Sequence, residues 1–170
     1  MKFKAPAFLM ALALVAPLAL AAKADSPALP AAATADQVTT SKLVYGLLSD
    51  SRYAYRPRAL DEATSKDVFK RYLETLDGGK QYFTQADVAR FAPFEANISS
   101  AIRGGELEPA FQVFAVYKQR VGERVAYARK LLKQEPDFTT DERFEYDRKK
   151  VPWAASSAEL DELWLSLIHI

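Results

Sequence analysis

Two serines in this chain are each followed directly by a lysine, Ser41-Lys42 and Ser65-Lys66, and a serine–lysine dyad can cleave an amide. A serine hydroxyl attacks a carbonyl only when a base removes its proton. The sole histidine, His169, is the penultimate residue of an atypical tail, which leaves lysine as the base to consider. Neighbours on a helix project about 100° apart, so neither lysine is placed to serve the serine beside it. Ser41 is therefore expected on a helix face, and Ser65 at a helix start accepting the backbone N–H of Val68. Ser157-Ala158-Glu159 has the outline of a protease nucleophile motif, but it falls at a helix start and no lysine follows it.

Other chemistries fare no better. Zinc needs converging His, Cys or carboxylate ligands, and the chain has no cysteine. Gly78-Gly79-Lys80 lacks the spacing of a phosphate-cradling loop and reads as a helix stop, with glycine in the left-handed conformation. The expectation is that this chain carries no catalytic, cofactor-binding or metal-binding residue of its own. Trp153, after Pro152 in an irregular stretch, is the one candidate for docking, with core packing as the competing reading.

The elements that would position these residues are helical. Val38, Ser41, Val44, Leu47 and Leu48 share a helical stripe that ends near Ser49-Asp50, and Pro57 forbids its continuation. Val68, Phe69, Tyr72, Leu73 and Leu76 give a second helix, stopped by Asp77-Gly78-Gly79. Thr84 and Asp87 form a capping box ahead of Val88 and Phe91. Pro93 is expected to start a new segment carrying Phe94, Ile98 and Ile102, closed by Gly104-Gly105. Glu108-Pro109 opens the longest helix, with Phe111, Phe114, Tyr117, Val121, Val125, Ala128 and Leu132 as its inner stripe. That helix should run to Gln134 or Glu135, before Pro136. Lys118, Arg120, Arg124, Arg129, Lys130 and Lys133 lie opposite and read as a solvated face. Residues 137–153 look irregular, and Ser156 with Glu159 caps a last helix through Leu160, Leu163 and Trp164. The fold class expected is all-α, with five or six helices.

The N-terminus reads as an export signal. Lys2 and Lys4 precede an uncharged apolar run from Ala7 to Ala22, and Ala22-Lys23-Ala24 is a small-x-small cleavage site. Domain boundaries follow: 1–24 a signal peptide, 25–35 a Pro/Ala-rich spacer expected to be disordered, and 36–164 the helical domain. Removing residues 1–24 takes away Lys2, Lys4 and Lys23 and no acid. The 23 basic and 22 acidic residues become 20 and 22, a net charge of −2. Such a balance gives no electrostatic reason to expect nucleic acid. Without cysteines in an oxidising compartment, a packed aromatic core must hold the fold.

In order along the chain come Phe69-x-Arg71-Tyr72-Leu73-x-x-Leu76-Asp77, Tyr82-Phe83-x-x-x-Asp87-Val88-x-x-Phe91, and Gly104-Gly105-Glu106-Leu107. Asp137-Phe138-Thr139, Asp147-Arg148-x-x-x-Pro152-Trp153 and Glu159-Leu160-x-x-Leu163-Trp164 follow. Together they resemble the N-terminal helical domain of the bacterial tail-specific proteases, periplasmic carboxy-terminal processing enzymes of the serine–lysine type. The resemblance implies a parent protein with PDZ and protease domains downstream, acting on exported proteins with apolar C-termini. It also implies that this domain helps admit substrates and dock a helical-repeat lipoprotein adaptor. No catalytic residue of that family falls within these residues. Leu165-Ser166-Leu167-Ile168-His169-Ile170 resembles a translated sequencing adapter, so 165–170 is expected to be a foreign tail on a truncated domain. A free-standing periplasmic adaptor and a peptidoglycan-binding envelope protein are the competing readings.

Overall fold

A computed structural model describes residues 30–135, 139 and 143–170 of the chain. The proposed signal peptide, residues 25–29 of the spacer, and Asp137-Phe138 lie outside the described residues. Among the described residues six α-helices follow one another: α1 (Ala35–Ser49), α2 (Glu62–Asp77), α3 (Gln85–Glu95), α4 (Ile98–Gly104), α5 (Glu108–Leu131) and α6 (Ser157–His169). A single 3-10 turn, Arg148–Lys150, lies before α6, and the described residues include no strand beyond one isolated bridge between Thr84 and Ala154. The all-α expectation holds.

Four of these helices, α1, α2, α3 and α6, begin where a side chain takes up a free backbone N–H, and α4 and α5 begin without such a bond. Thr34 caps α1 as half of a capping box with Gln37, and Thr84 does the same for α3 with Asp87. Ser156 caps α6 by accepting the N–H of Glu159 at 3.2 Å. Helix α2 departs from expectation. Its cap is Asp61, which accepts from Thr64 N–H at 2.8 Å, so the helix starts a turn earlier. Ser65 lies inside it, 1% exposed, and its Oγ accepts the N–H of Ser99 at 3.1 Å.

Two breakers also act differently from the sequence reading. Pro93 sits in the last turns of α3, and the chain breaks instead at Ala96-Asn97 before α4. The turn after α2 places Gly78 in ordinary right-handed geometry, and Lys80 takes the positive φ of 51°. Gly105 does close α4 in the left-handed region, at φ 76°.

The core is a cluster of Phe69 and Leu73 from α2, Phe83 from the connector, Phe91 from α3, Ile98 from α4 and Val113 from α5. Full burial of such side chains contributes roughly 1.5–3 kcal/mol each, as an upper estimate. Val113 is almost fully buried, whereas Val125 is 40% and Leu132 69% exposed. The expected inner stripe of α5 therefore fails at Val125 and Leu132, while Val121 and Ala128 are half-buried. Arg120 is half-buried and Arg124 buried, so they leave the proposed solvated face and turn inward. Helix α5 ends at Leu131, three residues before Gln134. Helix α6 continues through Leu165–Ile168 to His169.

Candidate functional site

The polar groups with the most partners converge on the short connector between α2 and α3. Asp77, at the C-terminal end of α2, is 2% exposed. Its carboxylate accepts the backbone N–H groups of Gln81 (2.7 Å), Tyr82 (3.0 Å) and Phe83 (2.9 Å). Three donors on one buried carboxylate fix the path of a connector that has no regular ladder of its own.

The outer side of the same connector is held by the segment before α6. Arg148 Nε donates to the Gly79 carbonyl at 2.9 Å. Lys80 Nζ donates to the carbonyls of Lys149, at 2.8 Å, and Val151, and it stands 5.6 Å from the Trp153 ring centroid. Lys80, with its positive φ, sits in a turn closed by its own N–H on the Asp77 carbonyl at 3.1 Å, and its side chain reaches across to the neighbouring segment. Trp164 Nε1 donates to the Gln81 carbonyl at 2.8 Å, which ties α6 to the connector as well. Gln85 N–H donates to the Ala154 carbonyl at 2.8 Å, and Gln85 Nε2 to the Trp153 carbonyl at 2.9 Å.

Aromatic rings fill the space under this clasp. Phe83, fully buried, meets Phe91 at 5.5 Å and both Tyr117 and Trp153 at 5.9 Å between centroids. Tyr82 stands edge-on to Tyr117 at 5.5 Å and meets Trp164 at 5.9 Å. Such tilted and T-shaped pairs add specific geometry to the area they bury.

A second carboxylate, Asp87, joins α3 to α5. It accepts from Thr84 N–H and Oγ1, both at 3.0 Å, and a two-pronged pair of bonds from Arg120 at 2.9 Å each. Burial alone would raise the Asp87 pKa, but the bonds from Arg120 and Thr84 outweigh it and hold the carboxyl below the ordinary Asp value. Arg120 also reaches Glu123 at 2.8 Å, and Arg124 pairs with Asp161 of α6. These arginines are staples between helices, a role that the 3–4 spacing of α5 does not distinguish from a solvated basic face.

Trp153, the candidate docking residue, is half-buried against the core and forms one wall of a groove of about 360 Å³. Phe69, Leu73, Val88 and Ala92 line that groove, with Lys149 and Glu74 among its charged residues. The serines considered for chemistry are engaged elsewhere. Ser41 Oγ donates to the Ile102 carbonyl at 2.7 Å, and Lys66 pairs with Glu62 on the surface of α2. Ser157 opens α6 and His169 lies in its last turn. Among the described residues no group of three His, Cys, Asp or Glu is placed to hold a metal ion, and no helix is long and apolar enough to cross a membrane.

Comparison with known proteins bears on this arrangement. Residues 47–169 match the family model described as the tail specific protease N-terminal domain. The chain is similar to a protein named tail-specific protease from Haemophilus influenzae (strain ATCC 51907 / DSM 11121 / KW20 / Rd), 29% identical over 143 residues. That match covers 84% of this chain and 20% of the relative, so the chain spans about a fifth of the relative's length. Among the residues of the motifs singled out in the sequence, Asp77, Tyr82, Phe83, Phe91, Arg148, Trp153 and Trp164 meet at or under the connector, Asp87 joins α3 to α5, and Leu160 is buried in α6.

Proposed function

Since the chain belongs to the tail-specific protease family through its N-terminal domain, we propose that it is the non-catalytic scaffold and docking part of a periplasmic serine-type endopeptidase. The observation that carries this reading is the use made of the signature residues. Asp77 and Trp164 hold the connector and Asp87 joins α3 to α5, and none of these presents a nucleophile beside a base. Chemistry in such a protein belongs to other domains, here a PDZ domain and a serine–lysine protease domain. Its substrates are exported proteins with apolar C-terminal tails, and a helical-repeat lipoprotein adaptor is a further partner. Export by the N-terminal signal sequence puts the domain in the periplasm. The groove walled by Trp153 offers a half-apolar surface for docking beside the clasp.

The test is cleavage of an exported reporter protein ending in an apolar tail. The purified chain alone is expected to leave it intact, while the complete parent protein cuts it. Cleavage by the chain alone would overturn the scaffold assignment. A genomic reading frame that stops directly after this chain would overturn the parent-enzyme assignment and favour a free-standing adaptor.

A further inference from the structure

We propose that the outward face of α1, formed by Leu43, Val44, Leu47 and Leu48, is the seat of polypeptide from the rest of the parent protein, packed against it in cis. This rests on the reading of the chain as one part of a longer protease. Helix α1 packs against α4 along the side that carries Val38, Ser41 and Tyr45, next to the aliphatic strip. Ser41 bonds the Ile102 carbonyl, Arg103 lies over the Tyr45 ring at 5.7 Å, and Gly105 packs so closely that an added Cβ would meet Val38 Cγ1 at 2.7 Å. No residue of α1 is buried. The four aliphatic side chains are 62%, 43%, 55% and 51% exposed, in sequence order.

Spacing of i, i+1, i+4 and i+5 puts all four on one face, with no charge among them. Scattered exposed apolar residues are ordinary, but a contiguous strip marks a surface that something covers. A fifteen-residue helix with one covered face is close to the length at which isolated helices are marginal.

Size decides the occupant. A stable interface between separate molecules buries about 800 Å² on each partner, and a strip of four side chains falls well short of that. A second copy of this chain is therefore a poor occupant. A segment tethered in the same polypeptide acts at an effective concentration of roughly millimolar, so a small face is enough to hold it. The relative extends far beyond the matched stretch, which is 20% of its length, so a parent of that size has ample chain to supply the cover. The chemistry of the face calls for an aliphatic helix laid along α1, since a helix satisfies its own backbone.

The chain has no cysteine, so Leu47→Cys introduces a single thiol within it. The maleimide-labelling rate of that thiol would be compared in the chain, in the complete parent protein with any other cysteines replaced, and in urea. The expected result is rapid labelling in the chain alone and labelling at least about tenfold slower in the parent, with Leu43→Cys behaving alike. Equal rates in chain and parent would overturn the proposal while leaving the scaffold assignment standing, provided that the parent cleaves its reporter. Disulfide-linked dimers of the Leu47→Cys chain, without protection in the parent, would overturn it in favour of a second copy. Absence of any longer reading frame would remove both readings together.

Discussion

Along the connector from Gly78 to Phe83 backbone groups are paired with named side chains: three N–H groups with Asp77, the Gly79 carbonyl with Arg148 and the Gln81 carbonyl with Trp164. Along α1 the opposite holds, because Leu43, Val44, Leu47 and Leu48 face outward with about half their surface exposed. The connector, Gly-Gly-Lys-Gln-Tyr-Phe, is the more polar stretch and residues 43–48 the more apolar one, so apolar composition does not say which of the two is closed. What separates them is closure. The first region is finished within this domain, and the second has one apolar face still open. Under the scaffold reading proposed above, the open face is the one left for a neighbouring segment.

The sharpest break in this comparison is Asp77→Ala. It strips the acceptor from three backbone N–H groups in a buried turn, and an unsatisfied buried donor costs about 1–3 kcal/mol. A loss of at least ~4 kcal/mol is expected in urea unfolding. Next is Leu73→Ala, at 6% exposure in the core, for which the expected cost is about 2–5 kcal/mol. A loss below ~1 kcal/mol, in the range of surface changes, would remove Leu73 from the core.

A smaller effect comes from acid. The Asp87 carboxyl is held below its ordinary pKa in the folded state, so its stabilisation is fully present above the unfolded value, near 4, and is lost as pH falls through the lowered one. The urea midpoint should fall below about pH 4, and Asp87→Asn should flatten that part of the profile. An unchanged acid limb in Asp87→Asn would show that the pairing with Arg120 is not the origin. The smallest effect belongs to α1. Leu43→Ser with Leu47→Ser should change the stability of the chain by less than about 0.5 kcal/mol for each site. The same pair should reduce binding of a hydrophobic dye, because the strip is the surface that such a dye would meet.

Much of the framework was legible from periodicity and caps. Thr84 with Asp87, Gly105 after α4, Glu108-Pro109 at the start of α5 and Ser156 ahead of α6 all mark boundaries that the fold respects. Those signals are local, so a single sequence carries them in full. The misreadings share a different cause. Ser65 has the right type for a cap, but Asp61 wins because its carboxylate reaches Thr64 N–H and frees Ser65 to meet Ser99 across the interface with α4. The glycines after Asp77 looked like the left-handed stop, yet Lys80 takes that geometry, in a turn bonded to Asp77 and with its side chain on residues some seventy positions away.

Arg120 and Arg124 show the same limit in another form. Helical spacing put them opposite an apolar stripe, and only Asp87 and Asp161, on other helices, determine that they turn inward. The stripe itself was real but partly unpaired, since Val125 and Leu132 remain exposed. Periodicity gives the faces of a helix and does not say which face its own domain will cover. The candidate site was legible in a similar, partial way: the signature residues were visible as separate motifs, and their meeting around one connector was not.

Whether those residues act as one clasp is the central question, and a double-mutant cycle between Asp77→Asn and Arg148→Ala answers it most directly. The two side chains hold the same connector from opposite sides, through Phe83 N–H and the Gly79 carbonyl. If they form a unit, Arg148→Ala costs less once Asp77 is changed, with a coupling of at least ~1 kcal/mol in urea unfolding. Losses that add to within ~0.3 kcal/mol would contradict the clasp and leave the signature residues as independent packing sites.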